Sequence, residues 1–469
     1  MTALQCILAL SALISPLSVA LVPPRRSLRG AGCSRRMAET EASDSLSISV
    51  ELVSSVTDVD PEQWNACAGE NNPFLQHSFF EALESSGSAC KTEGWEPVHL
   101  VAKGEDNEVL GVVPLYRKSH SMGEYVFDQQ WASFHRIAGG SMFGRGYYPK
   151  LQSCVPFTPA TGPRLLVHPK AADRGGEEER LKVMMTLAQG LKAVTDKFGL
   201  SSAHVTFLTR EEWLAMGRVG FKQRLGVQYH WRNQGYETFD DFLATLKQPK
   251  RKNIKQERRR VAQAPVTIKR LRGAEIEPRH WEAFYKFYLN TVEQHWARDY
   301  LTEDFFNRLG GSMSDRVLLV VAEENDTGEL VAGALNLIGE DCIYGRNWGC
   351  SKQYDSLHFE CCYYQAIEAA IELGIDRVEA GAQGEHKIRR GYLPTLTYSA
   401  HYLADGPGPF VEGIENFLEE ERRQIYHTLA VLTIQESPFK GEDVLTDHLA
   451  SQGVILKDNS IYVEEPRRV

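Results

Sequence analysis

The chain has 469 residues, 42% of them hydrophobic and 24% charged, with a formal net charge of −10. That length exceeds what one core ordinarily fills, so two domains are expected. The acidic balance excludes a global pull toward nucleic acid or anionic lipid, so any polyanion site must come from a local basic patch.

The first forty residues stand apart. The run ILALSALISPLSVALV is apolar for too short a distance to span a bilayer. Ser18-Val19-Ala20 fits the small-residue cleavage pattern of a secretory signal, and Arg25, Arg26, Arg29, Arg35 and Arg36 follow with no acid before Glu39. Signal followed by transit composition resembles the bipartite presequences of secondary plastids. The expectation is a cleaved presequence over residues 1–46 and a plastid destination, with secretion or a mitochondrial address as alternatives. No later stretch is long and apolar enough to span a bilayer, so no membrane contact is expected of the mature chain, and its oligomeric state stays open.

SISVELV at 47–53 reads as the first strand. His99–Ala102, the turn GEDNE and Val109–Tyr116 read as a hairpin. A helix is expected at about 179–198, with Met184, Leu187, Leu191, Val194 and Phe198 on one face and Gly199 as its stop. His204–Leu208 is then a short strand. The C-terminal half repeats this order: Val317–Ala322, ENDTG and Leu330–Leu337 make a hairpin, and Cys342–Trp348 adds a strand. A helix at about 356–373 stops at Gly374, and Arg377–Ala380 is a strand. The repeated order, without residue-level repetition, predicts two copies of one α+β unit. Their bounds are 47–235 and 236–440, followed by a tail at 441–469.

Between the halves lies TLKQPKRKNIKQERRRV. Pro249 suits a helix's first turn, and a helix over 249–260 places Arg251, Lys255, Arg258 and Arg259 on one face, with Lys252 beside them. The run reads either as a solvated linker helix or as a phosphate contact. It holds no aromatic residue for base stacking.

No P-loop, Rossmann fingerprint, complete nucleophile elbow or H-E-x-x-H is present. The nine cysteines show no C-x-x-C pair and no His/Cys cluster with zinc spacing, so no metal site is read and free thiols are expected. The titratable groups gather in the C-terminal unit. Tyr344, Arg346 and Trp348 share one strand, with His358, Glu360 and Tyr363 near the start of the next helix. Glu379 ends the next strand, and the loop GAQGEHKIRRGY supplies Gln383, Glu385, His386, Lys387, Arg389, Arg390 and Tyr392. Strand ends and helix starts are where α/β sites form. A carboxylate beside an imidazole offers a proton acceptor tunable toward neutrality. The bland readings are that Arg346 pairs with Glu379, that His358 is a satisfied helix-start residue, and that Tyr344 and Trp348 are core aromatics.

PKRKNIKQERRRV resembles the K-x-R-x-N-I-R-x-A-x-K signature that opens the second domain of Fem-type peptidyltransferases. YYQAIEAAIELGIDRVEAGAQGEHKIRRGY resembles their closing helix–strand–loop. NPFLQHSFFEALESSGS, GEYVFDQQWA, YYPKLQSCVPFTPATGPRLL and RNWGCSKQYDSLHFECCYYQAIE are closer still to the FemAB-like branch of the GNAT superfamily, over roughly residues 60–440. The resemblance implies tandem GNAT-like domains of the α+β class, each a mixed, mostly antiparallel sheet flanked by helices. It implies transfer of an acyl or aminoacyl group to a small-molecule or peptide amine. The donor would be acyl-CoA or aminoacyl-tRNA, with no tightly bound cofactor. The Q/R-x-x-G-x-G/A loop of CoA-dependent members has no counterpart: Arg308-x-x-Gly311 comes nearest, with Met313 where glycine or alanine is required.

On that expectation Glu385 or His386 accepts the amine's proton, with Glu379 as the alternative, and Tyr344 or backbone N–H groups meet the oxyanion. Arg346, Trp348, His358, Glu360, Tyr363, Gln383, Lys387, Arg389, Arg390 and Tyr392 line the substrate cleft. Arg251, Lys252, Lys255, Arg258 and Arg259 hold the donor's phosphates, with the loop cations. CoA-dependent acetylation of a metabolite or protein amine, and a non-catalytic module binding an anionic polymer or RNA, are the competing readings.

Overall fold

The computed structural model describes residues 19–21, 48–138, 146–294, 298–381, 384–457 and 460–463. The presequence expected at 1–46 lies outside them apart from Val19–Leu21.

In chain order the first half gives β1 (Val19–Leu21), β2 (Ser49–Val53), α1 (Pro61–Ala68), α2 (His77–Ser85), β3 (Trp95–Pro97), β4 (His99–Lys103), β5 (Val109–Val113) and β6 (Tyr116–Lys118). There follow α3 (Gln129–Ile137), β7 (Lys150–Ser153), β8 (Leu166–Val167), α4 (Lys170–Lys197), β9 (Ser202–Leu208), α5 (Arg210–Arg218) and β10 (Lys222–Arg232). The linker forms α6 (Phe239–Thr245) and α7 (Gln248–Gln263). The second half gives β11 (Val266–Arg272), α8 (Pro278–Gln294), α9 (Glu303–Ser312), β12 (Val317–Glu324), β13 (Leu330–Ile338) and β14 (Cys342–Cys350). It continues with α10 (Leu357–Phe359), a π-turn at Glu360–Tyr364, α11 (Gln365–Leu373), β15 (Arg377–Glu379), a 3₁₀ segment at Glu385–Arg390 and β16 (Leu393–Leu403). The tail adds α12 (Pro409–Glu436), α13 (Glu442–Ser451), β17 (Val454–Lys457) and β18 (Ser460–Val463), the last pairing in parallel with β1.

The strands expected in the second half appear within two residues of their expected ends. Two expectations change. The run read as one strand over Val109–Tyr116 divides at Pro114, which has no N–H for a ladder, so β5 and β6 join different sheets. The helix expected at about 179–198 extends back to Lys170, with non-helical backbone at Gly175 and Gly176 separating its two parts.

One eleven-stranded sheet runs β11-β12-β13-β14-β15-β10-β16-β9-β7-β6-β3, and β2-β4-β5-β8 form a smaller one. The halves interleave. β16, late in the chain, pairs with β10 from Lys222↔His401 to His230↔Leu393, and β10 pairs in turn with β15. A boundary at 235/236 therefore cuts the chain and not the sheet.

β12 is apolar on both faces because both are covered. Val317, Leu319 and Val321 join the core of α2, α8 and α9, while Leu318, Val320 and Ala322 join that of α6, α7 and α11. α7 is mostly polar; Ile254 and Val261 are its buried residues, and roughly 1.5–3 kcal/mol of burial at each anchors it. β9 differs. Ala203 and Val205 face an apolar core, but Ser202, His204 and Thr206 on the other face are buried as well.

Across the neighbouring strands that second face carries Lys118, Lys150, Gln152 and His401, closed over by Glu124, Asp128, Tyr147 and Tyr148. Lys150 Nζ lies 3.0 Å from Glu124 and 2.6 Å from Asp128. Asp128 also accepts from the phenols of Tyr147 and Tyr148, at 3.0 and 2.9 Å. Nδ1 of His204 and Nδ1 of His401 are 2.6 Å apart. Among the described residues no helix is long and apolar enough to cross a membrane.

Candidate functional site

β14 is partnered by β15 only over Cys342–Tyr344, while on its other edge it follows β13 to Cys350. Beyond Tyr344 the two chains part. A β-bulge marks the same place, with the β13 register shifting between Leu335 and Asn336. Bulges of this kind re-aim side chains and are frequent beside active sites.

After β15 the chain turns into the 3₁₀ segment. Gly384 has φ +112°, and a Cβ there would lie 2.5 Å from Cε1 of His386, so glycine alone lets that ring fold back on its own loop. Gly391 ends the segment at φ +92°, where a Cβ would stand 2.7 Å from the Phe242 ring. Ile388 is buried and anchors the turn; Lys387 and Arg390 turn inward with it, leaving Glu385, His386 and Arg389 outside. Gln383 lies outside the described residues.

The inward cations have different partners. Arg390 pairs with Glu257 at 2.8 Å, donates to the Tyr364 hydroxyl at 3.1 Å and to the His386 carbonyl at 2.9 Å, and lies 3.4 Å over the Phe359 ring. It is a clamp fastening the loop to α7 and the π-turn. Lys387 Nζ, by contrast, donates to one carbonyl, that of Gly381, at 3.1 Å. Burial without a carboxylate partner pulls its pKa down to about 8.

Beside Lys387 lies a crevice of rings. His386 Nε2 is 2.9 Å from the Tyr363 hydroxyl. The His358 ring is 5.3 Å from Trp348, 5.4 Å from Tyr363 and 6.4 Å from His386. Burial, then the Lys387 and Arg390 charges, lower the His386 pKa; burial, His386 and both cations take His358 down to about 4. Both imidazoles are neutral at physiological pH. The π-turn directs Tyr363 here, as single π-turns often do at functional sites.

Other expected residues are engaged elsewhere. Glu360 receives Arg258 at 3.0 and 3.2 Å and Gln365 at 2.7 Å, and Arg258 also reaches Glu368 at 2.8 Å. Neither is free for a substrate or a phosphate: burial of Glu360 demanded a cation, and the linker supplied one. Lys255 pairs with Asp240 at 2.9 Å, whereas Lys252 and Arg259 are exposed on α7 and Arg251 is half-buried there. α6, α7 and β11 border a groove of about 770 Å³ with Phe239, Leu243 and Val261 among its lining. Tyr392 is a core residue. Arg308, in the nearest approach to a phosphate loop, lies within α9 and pairs with Asp304 and Glu81.

Glu379 and Tyr344 lie on the opposite face of the sheet, in contact with the first half of the chain. Glu379 is buried, accepts from the backbone N–H of Thr161 at 3.2 Å and from its hydroxyl, and sits 3.5 Å from Arg377 Nε. Burial raises its pKa, against the pull of Arg377. Tyr344 is closed in the core against Phe74, its hydroxyl 3.4 Å from Arg377, so it does not face the His386 crevice. The bland alternative of an Arg346–Glu379 pair does not form: Arg377 occupies Glu379, and Arg346 donates to the Phe157 carbonyl.

Reading the sequence alone misses Thr161, Arg377, Glu257 and Tyr364, which hold site residues in place. It also misses Asn336, which is buried at the bulge. Asn336 donates to Leu318 O and Ala334 O, and its Oδ1 has no partner and lies 3.4 Å from where a side chain at Gly345 would begin. Only its own stretch, ALNLI, hinted at it, as a polar residue inside an apolar strand.

The fold is of the α+β class, with mixed, mostly antiparallel sheets flanked by helices. The chain belongs to the FemAB-like family, described as peptidoglycan biosynthesis/recognition, whose model matches residues 55–441. Among solved structures it is similar to FemX (12% identity, 77% of this chain and 98% of that one, TM-score 0.47). It is also similar to L-PGS from Bacillus licheniformis (12%, 76% and 96%, 0.45) and to a tandem GNAT protein of the clavulanic acid biosynthesis pathway (10%, 77% and 100%, 0.41). At these TM-scores the likenesses carry no argument about function. No curated protein matches the chain.

Proposed function

We propose that this protein transfers an acyl group from an activated ester or thioester to an amine, in the crevice where β14 and β15 part. The observation that carries the reading is the His386–Tyr363 contact of 2.9 Å between a neutral, solvent-facing imidazole and a phenol, with the poorly partnered Lys387 beside them. With Nε2–H donating to the Tyr363 oxygen, Nδ1 is the free acceptor for the amine's proton. The amine nitrogen forms a bond to the acyl carbon, the carbon–oxygen or carbon–sulfur bond to the donor breaks, and the proton passes from His386 to the leaving atom. The Tyr363 O–H and the Lys387 ammonium are placed to meet the developing oxyanion. Glu385 is exposed, and no hydrogen bond or ion pair reaches it among the described residues, so His386 is the better base.

Exposed Lys252 and Arg259, with Arg251 near them, favour a polyanionic donor, and aminoacyl-tRNA over acyl-CoA. The test is to incubate the mature chain with an amine and either charged tRNA or acyl-CoA, and to follow amide formation by mass spectrometry. Product with charged tRNA, its affinity falling with salt and less steeply in Lys252→Gln/Arg259→Gln by about 0.7 log units per removed contact, fits the reading. Full turnover in His386→Ala sinks the assignment of the base.

A further inference from the structure

Arg346 lies one residue beyond Gly345, where β14 leaves β15: a side chain at Gly345 would begin 3.5 Å from the Glu379 carbonyl. The bulge turns Arg346 to the face opposite His386, toward the first half of the chain. Its guanidinium donates to the Phe157 carbonyl and lies 5.9 Å from the Phe74 ring, and among the described residues no carboxylate pairs with it. The nearest acid in register, Glu379, is held by Arg377 and Thr161. Around it are aromatic groups. The phenols of Tyr125 and Tyr288 are close enough to act on its charge. Tyr300 stacks on Phe157 at 4.9 Å and 14°. Tyr125 and Phe127 are 39% and 47% exposed, unusual for rings of this size, and mark an opening to solvent. A half-buried guanidinium partnered by one backbone carbonyl and the Tyr125 phenol keeps donors in hand, and its planar fork fits a carboxylate.

We infer that the acceptor amine carries a carboxylate, as an amino acid or peptide C-terminus does, and that Arg346 binds that carboxylate in the tyrosine-lined mouth between the halves. The acceptor then enters from the Arg346 face while the donor lies on the His386 face, and the two meet through the parting of the strands. The inference rests on the acyl-transfer reading, but its test is one of binding and does not require turnover.

Alanyl-alanine and its C-terminal amide both present an amine and differ in the carboxylate. Titrated into the full chain and followed by calorimetry, the free acid is expected to bind about tenfold or more tightly than the amide, the range for a charge-assisted contact. Arg346→Gln removes the preference, Arg346→Lys keeps part of it, and Tyr125→Phe, at an exposed position that leaves the fold alone, reduces it by less. Equal affinities in the wild type, including no binding of either, overturn the inference. So does a preference that survives in a cooperatively folding Arg346→Gln, or that is untouched in both Arg346→Lys and Tyr125→Phe should Arg346→Gln not fold. Binding of inorganic phosphate without the dipeptide replaces the carboxylate site with a phosphate site. Carboxylate-selective binding with no amide product under any donor leaves the mouth standing and removes the acyl-transfer reading.

Discussion

Two regions of this molecule concentrate titratable side chains, and they use them in opposite ways. Under β6, β7, β9 and β16, Lys118, Glu124, Asp128, Lys150, His204 and His401 are all buried and pair chiefly with one another, although Glu124 Oε2 accepts no hydrogen bond. Burial opposes ionisation of Asp128, but Lys150 and His204 hold it well below the usual carboxylate range, and its partners raise Lys150. In the His386 crevice the exposed His386 has one phenol as its partner, and the buried Lys387 beside it has one carbonyl and no carboxylate. Density of charge therefore does not locate the site.

The largest effects should separate the two regions. His386→Ala is expected to lower turnover by about 10²–10⁴-fold while the denaturation midpoint stays within about 0.5 kcal/mol of wild type. Lys150→Met should do the reverse in kind, destabilising by roughly 3–5 kcal/mol because Glu124 and Asp128 remain buried with less than their charge. A stability loss in the first variant, or none in the second by urea denaturation, would break the comparison.

Lys387→Met sharpens it. Because Lys387 is buried with a single carbonyl partner, its removal should raise stability by roughly 1–3 kcal/mol and lower turnover in the same protein. Thermal unfolding and a rate assay on one preparation check both arms.

The smallest and most diffuse effect is in pH. Folded His204 and His358 have pKa values pulled to about 3 and about 4, with burial the first cause in each, and His230 and His401 are also lowered. The unfolded chain, with ordinary imidazoles near 6.5, takes up these protons first as pH falls. Stability is therefore full above about pH 6.5 and is lost below it, at about 1 kcal/mol per pH unit for each histidine. His358→Asn should reduce that slope by one share; an unchanged slope between pH 6.5 and 5 would contradict the burial of His358.

Much of the architecture was legible. Val317–Ala322, Leu330–Leu337 and Cys342–Trp348 read as strands because apolar runs bounded by turn residues have few other solutions, and Pro249 and Gly374 marked helix ends by backbone chemistry alone. The GEHKIRR loop was legible as a cluster of titratable groups, but not which of them face inward. Arg389 and Arg390 are adjacent and alike in sequence, yet one is exposed and the other clamped to Glu257, 133 residues away. Glu360 and Arg258, separated by 102 residues, became each other's partner for the same reason: a buried carboxylate requires a cation, and only the packing of α7 on the π-turn says which.

Local chemistry thus determined where strands, turns and the basic helix fall, because those depend on periodicity and on proline and glycine within a few residues. Tertiary structure alone decided that β10 and β16 lie between the strands of the two halves. It decided that the polar face of β9 is interior although its alternation reads as half-exposed, and that Arg346 is left without the carboxylate its neighbour Glu379 offers. Each of those outcomes depends on which distant group arrives first at hydrogen-bonding distance, and no local pattern encodes that.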